Sequence, residues 1–91
     1  MRYRKKPVVI EAVQFVDEPT EIVGSEPEWY RVARTIDHGE VGSITYKDGT
    51  LRVFTLEGEM RAERGDWIIR GLKGEVYPCK PDLFAASYDP A

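Results

Sequence analysis

The sequence predicts an α+β fold: a twisted antiparallel sheet or small open barrel of about five to six short strands, with one main helix near residues 26–37. Three observations lead there. Trp29, Val32, Ala33 and Ile36 recur at spacings of three and four, the apolar stripe of an amphipathic helix. From Gly42 onward the pattern changes to short β-rich runs separated by glycine-containing turns. The length of 91 residues suits one small domain, spanning 1–91, with room for a single compact core.

The elements follow in order. After Pro7, "VVIEAVQF" is dense in β-branched and aromatic residues and too short for a stable helix, so Val8 to Phe15 reads as the first strand. Its apolar residues fall at odd and even positions, the pattern of a central strand covered on both faces. It is expected to pair with a later strand. Acids, prolines and a glycine crowd "VDEPTEIVGSEPEW", a surface excursion. Ser25 with Glu26 and Glu28 then reads as a helix start, with a capping hydroxyl and a glutamate three positions on. Gly39 is placed to close the helix.

Asp48-Gly49 inside "SITYKDGTLRVFTL" is a strong hairpin signal, because that pair tolerates the positive φ of a tight turn. Glu57-Gly58 repeats the device. A turn at Gly65-Asp66, a strand from Trp67 to Leu72, a turn at Lys73-Gly74 and a strand from Glu75 to about Cys79 complete a meander of antiparallel neighbours. Pro81-Asp82 opens a helical turn from which Leu83, Phe84 and Tyr88 pack back on the sheet. Phe15, Trp29, Phe54, Trp67 and Phe84 are the expected large core fillers.

Composition narrows the function classes. With 42% hydrophobic and 11% aromatic residues the chain is too apolar for disorder. A formal charge of −3 supplies no whole-molecule field for nucleic acid, so that partner is not expected. One cysteine makes no internal disulfide, which fits a reducing cytoplasm. Val8-Val9-Ile10 is stopped at once by Glu11, so neither a signal peptide nor a membrane span is expected.

Several tempting motifs have plainer readings. Arg64-Gly65-Asp66 spells an adhesion tripeptide, but Gly supplies positive φ and the Asp carboxylate caps nearby N–H groups in any tight turn. Cys79 and His38 offer a thiol and a base with nothing to force them together, so Cys79 reads as a small filler at a strand end. Lys80 beside it would lower the thiol pKa. Metal-ligand spacing, phosphate-binding glycine loops and a dinucleotide fingerprint are all missing, so no metal and no cofactor is expected. The basic opening "RYRKK" is preferred as a solvated lead-in that guards a sheet edge. Arg70, Tyr77 and Lys80 remain. If they share a surface, they form a cationic and aromatic patch for an acidic partner or an anionic ligand. Strand parity puts Trp67 on the opposite face from Arg70, so Trp67 is expected in the core.

The opening "MRYRKKPVVIEAVQF" and the closing "TLEGEMRAERGDWIIRGLKGEVYPCKPDLF" resemble a widespread group of small, functionally uncharacterised proteins of tailed bacteriophages and prophages. The shared features are Lys5-Lys6-Pro7 before an apolar strand, Gly65-Asp66 before Trp67, and Lys73 to Asp82. The resemblance covers about half of the chain and implies a phage or prophage product in the bacterial cytoplasm. No activity is known for the group, so no catalytic residue carries over. The expected function is a non-enzymatic protein-interaction module that binds a host or phage protein. The alternative is a small-ligand or nucleotide binder, with or without hydrolytic activity. Exposed sheet edges also leave a homodimer open.

Overall fold

The computed structural model describes residues 1–3, 8–16 and 27–90. Among these residues six strands and two short helices run β1 (Glu11–Gln14), α1 (Glu28–Ala33), β2 (Ile44–Lys47), β3 (Thr50–Thr55), β4 (Gly58–Ala62), β5 (Trp67–Arg70), β6 (Val76–Cys79) and α2 (Pro81–Ser87). The α+β class and the antiparallel pairing hold. The expected single sheet does not: the strands form two three-stranded sheets, ordered β1-β5-β6 and β2-β3-β4. The helix expected near 26–37 is present but spans 6 residues, and the helical turn expected at Pro81-Asp82 is a helix of 7, so neither is the main one. Among the described residues, no helix is long and apolar enough to cross a membrane.

Turn chemistry decides where consecutive strands pair. Asp48 and Gly49 have φ of 52° and 80°, so both central residues of the β2–β3 loop take the left-handed setting that fits strand twist. Lys47 therefore faces Thr50, and Ile44 faces Val53. At the next tight turn but one, the expectation of neighbour pairing fails. Asp66 N–H donates to Glu63 O at 2.9 Å, with Gly65 at φ 95° in the third position, where a type II turn needs it. Gly65 N–H then donates to Phe15 O at 2.6 Å, while Phe15 N–H donates to Asp66 O at 2.8 Å. Two residues thus oppose one, a bulge that turns the chain out of the second sheet and into the first. β5 leaves β4 behind and pairs with β1 and β6 instead.

β1 does find a later partner, but it is an edge strand of four residues, not a central strand from 8 to 15. Val9 is 76% exposed and the central position belongs to β5. Apolar density was a poor guide because it reports coverage of the faces, not hydrogen bonding at the edges.

Helix α1 is also shorter and rotated relative to expectation. Its N-cap is Pro27, without a side-chain cap bond; Ser25 and Glu26 lie outside the described residues. The helix stops at Ala33, after which Thr35 and Ile36 N–H groups reach back three residues, to Val32 and Ala33. The Thr35 hydroxyl donates to Val32 O at 2.7 Å, engaging that carbonyl locally. Gly39 therefore lies in a later turn. The buried residues are Tyr30 and Ala33, whereas Val32 is 48% exposed. Tyr30, which the expected stripe did not include, is the largest fully buried side chain.

The core gathers Phe15, Tyr30, Ala33, Ile44, Leu51, Val53, Ala62, Ile68 and Val76, drawn from both sheets and α1. Its ring packing is edge-on, with Phe15 and Tyr46 centroids 6.3 Å apart. Of the five expected large fillers only Phe15 is fully buried. Trp29 packs against the core from its border. Phe54 lies, by strand parity, on the outer face of its sheet, opposite Glu59. Trp67 is indeed on the opposite face from Arg70, but the shared core lies on Arg70's side, with Val13, Ile68 and Val76. Trp67 instead stacks on Phe84 of α2 at 4.1 Å, and Phe84 meets Tyr88 at 5.2 Å. Leu83, expected to pack back, is 59% exposed.

Candidate functional site

The three residues singled out by sequence are distributed over different surroundings. Arg70 pairs with Val76 in register and holds Glu11 at 3.9 Å. Tyr77, one residue along β6, faces the other way, alongside Ile69 and Ala12. Burial, then a hydrogen bond with Tyr88, pushes its phenol up to about 12, so it is a neutral group at ordinary pH. Lys80 is engaged internally: its ammonium donates to Asp66 at 2.9 Å, and Glu63 lies at 4.0 Å. That hydrogen bond, helped by both carboxylates, holds Lys80 above the usual lysine range. The cationic pair and the tyrosine are therefore not one patch.

His38 and Cys79 lie in different surroundings. His38 Nδ1 lies 3.2 Å from the Thr45 hydroxyl and Nε2 lies 3.5 Å from Glu59. Cys79 sits on β6, its thiol donating to Lys80 O at 3.6 Å. Partial burial and the nearby Asp66 and Asp82 push the thiol up, against the expectation that Lys80 would lower it. Lys80 fails to activate the sulfur because its charge is directed at Asp66. Among the described residues, no group of three or more His, Cys, Asp or Glu side chains is placed to hold a metal ion.

What sequence reading missed is a seam. The two sheets meet where β6 packs on β3 and β4, and at that margin their inner faces run out toward solvent. The result is an open groove of about 640 Å³, walled by Val41, Leu56, Met60, Val76, Tyr77 and Pro78 and rimmed by Glu57, Lys73 and Glu75. Val41, Leu56 and Met60 are 55%, 88% and 39% exposed. Met60 shares the inward face with Val53 and Ile44, but β4 is the sheet's last strand, and among the described residues no further strand pairs with it to extend the cover. One signal was available in the sequence. Leu56 occupies a hairpin apex, where turn chemistry normally places a polar residue.

Comparison with protein-family models, with curated proteins and with solved structures finds no match.

The groove's backbone edge limits how it is used. Gly71 N–H donates to Glu75 O, so along β6 the residues bonded to β5 are 75, 77 and 79, and those at 76 and 78 face outward. Pro78 falls on the outward set, where a missing N–H breaks no ladder bond. A guest strand would gain little from this edge, and side-chain contact is what the groove offers.

Proposed function

We propose that this protein is a small phage- or prophage-encoded accessory protein that works in the bacterial cytoplasm by binding another protein. The origin and compartment rest on the resemblance of its two ends to proteins of tailed phages. The binding mode rests on one observation, the apolar seam presenting Val41, Leu56 and Met60 to solvent. Contiguous apolar surface is costly to leave in water, and covering a Leu or Met side chain contributes about 1.5–3 kcal/mol. A partner that places apolar side chains in the groove would recover that energy.

The test uses Leu56→Glu and Met60→Glu, both surface changes, with the wild-type protein as bait in a bacterial lysate. A partner retained by the wild type and lost by both variants supports the reading. Equal retention by all three would show that the groove is not the binding surface.

The groove volume of about 640 Å³ also favours a second reading. Small-molecule pockets fall in the range of about 300–1,000 Å³. A thermal-shift series with nucleotides and other small anions separates the two, since a ligand at 100 times its Kd adds about 2.7 kcal/mol of stability. A positive shift with no protein captured would transfer the proposal to a ligand.

A further inference from the structure

The outer face of β2-β3-β4 has a different character from the seam. Strand parity puts Thr45, Lys47, Arg52, Phe54, Glu59 and Arg61 there, opposite the core-facing Ile44, Leu51, Val53 and Ala62. Thr45, Arg52 and Arg61 form one register row across three strands. Arg52 and Arg61 are therefore directly opposed, an arrangement of like charges that destabilises a strand pair. Little on the protein offsets it. Arg52 Nε donates to the Thr50 hydroxyl at 3.2 Å, and among the described residues no carboxylate lies within 4 Å of Arg52 or Lys47. Among the described residues, Arg61 pairs with Glu63 at 3.6 Å, with both side chains 58% exposed. The other acid on the face, Glu59, faces His38.

We propose that this face binds single-stranded nucleic acid, with Lys47, Arg52 and Arg61 on the phosphates and Phe54 against a base. The chain's formal charge of −3 averages over a molecule whose cations are unevenly placed. Here three cations stand beside two acids, Glu59 and Glu63, and the remaining local positive charge is what phosphates meet. The face is two strand spacings across, about 10 Å. An extended single strand fits that width, while a duplex groove is entered by a helix or a protruding ribbon. Phe54, half-buried and two residues from Arg52 on the same face, adds a sequence-tolerant stacking ring that an acidic peptide would leave unused.

The experiment is fluorescence anisotropy of a labelled oligothymidylate of about 12 nucleotides with the full chain, across a tenfold rise in salt from ~20 mM. Three phosphate contacts predict a log–log slope of about −2, an affinity loss of about a hundredfold. The double variant R52Q/R61Q, confined to the surface, should weaken binding and leave a slope of about −0.7. Phe54→Leu keeps the volume and loses the ring, so it should weaken binding about fivefold or more without changing the slope. Absence of binding at the lowest salt overturns the proposal. So does an unchanged slope in R52Q/R61Q, or equal binding of duplex. Competition by polyglutamate as strong as by the oligonucleotide would also overturn it, and would assign the face to acidic protein segments.

Discussion

At the scale of single residues, Asp66 is the side chain on which the most local structure converges. It is 4% exposed, accepts the Glu63 N–H at 2.9 Å and receives the Lys80 ammonium at 2.9 Å. One carboxylate thus closes the turn that redirects the chain between sheets and ties down the start of α2. Replacing it with Ala leaves a part-buried N–H without its acceptor and the Lys80 ammonium without its hydrogen-bond partner. A loss of about 1–3 kcal/mol is expected for Asp66→Ala, read as a lowered denaturant midpoint. Asp66→Asn keeps an acceptor for the turn but not the charge, and should lose less. A midpoint unmoved by Asp66→Ala would show that the turn holds without it. The turn role was legible in Gly65-Asp66, because positive φ and an N–H acceptor are local demands. The Lys80 contact was not, since it joins residues 14 apart that only the folded β5–β6 hairpin brings together.

Elements show the same division between local and assembled information. The hairpins β2–β3 and β5–β6 could be placed from Asp48-Gly49 and Lys73-Gly74 because a turn fixes its own register. The split into two sheets could not, because it depends on Phe15, some 50 residues earlier, meeting the Gly65 bulge. Helix α1 was found but rotated, since the stripe through Trp29 and Val32 is only one residue's rotation, about 100°, from the buried pair Tyr30 and Ala33. The same limit hid the groove, a product of where two sheets stop. Helix α2 gives the element-scale prediction. It has 7 residues, no side-chain cap and no buried residue, so it is too short to persist on its own. Its attachment is the stack of Phe84 on Trp67 and Tyr88, together with Lys80 on Asp66. Phe84→Ala should release the C-terminal segment, costing about 1–2 kcal/mol and changing the Trp67 fluorescence before the main unfolding transition. A single transition with native fluorescence up to the midpoint would show that α2 docks without the stack.

Over the whole molecule, two tyrosines on opposite sides of the first sheet link stability to alkaline pH. Tyr30 is fully buried among core residues of both sheets, and burial pushes its phenol from 10.0 up to about 12. Tyr77 lies on the face away from that core and is also pushed up to about 12, by burial first and then by Tyr88. A raised phenol keeps its proton in the folded chain where the unfolded chain has lost it. Between about pH 10 and 12 the folded state therefore binds more protons, and stability falls as pH rises. Below pH 10 the contribution is fully present. For Tyr30 the difference amounts to about 2–3 kcal/mol, while Tyr77, only half-buried, adds less because water screens its anion. Lys80 acts with the same sign, since an ammonium held above its ordinary range loses its advantage as pH rises through that range. The expected profile is flat from neutrality to about pH 10 and then steeply falling, with the unfolding midpoint in urea measured at each pH. Tyr30→Phe removes the largest ionisation and a buried hydroxyl that has no hydrogen-bond partner among the described residues. That variant should match or exceed the wild type at pH 7 and shift the alkaline fall upward; a profile superimposable on the wild type would place the alkaline sensitivity elsewhere in the molecule.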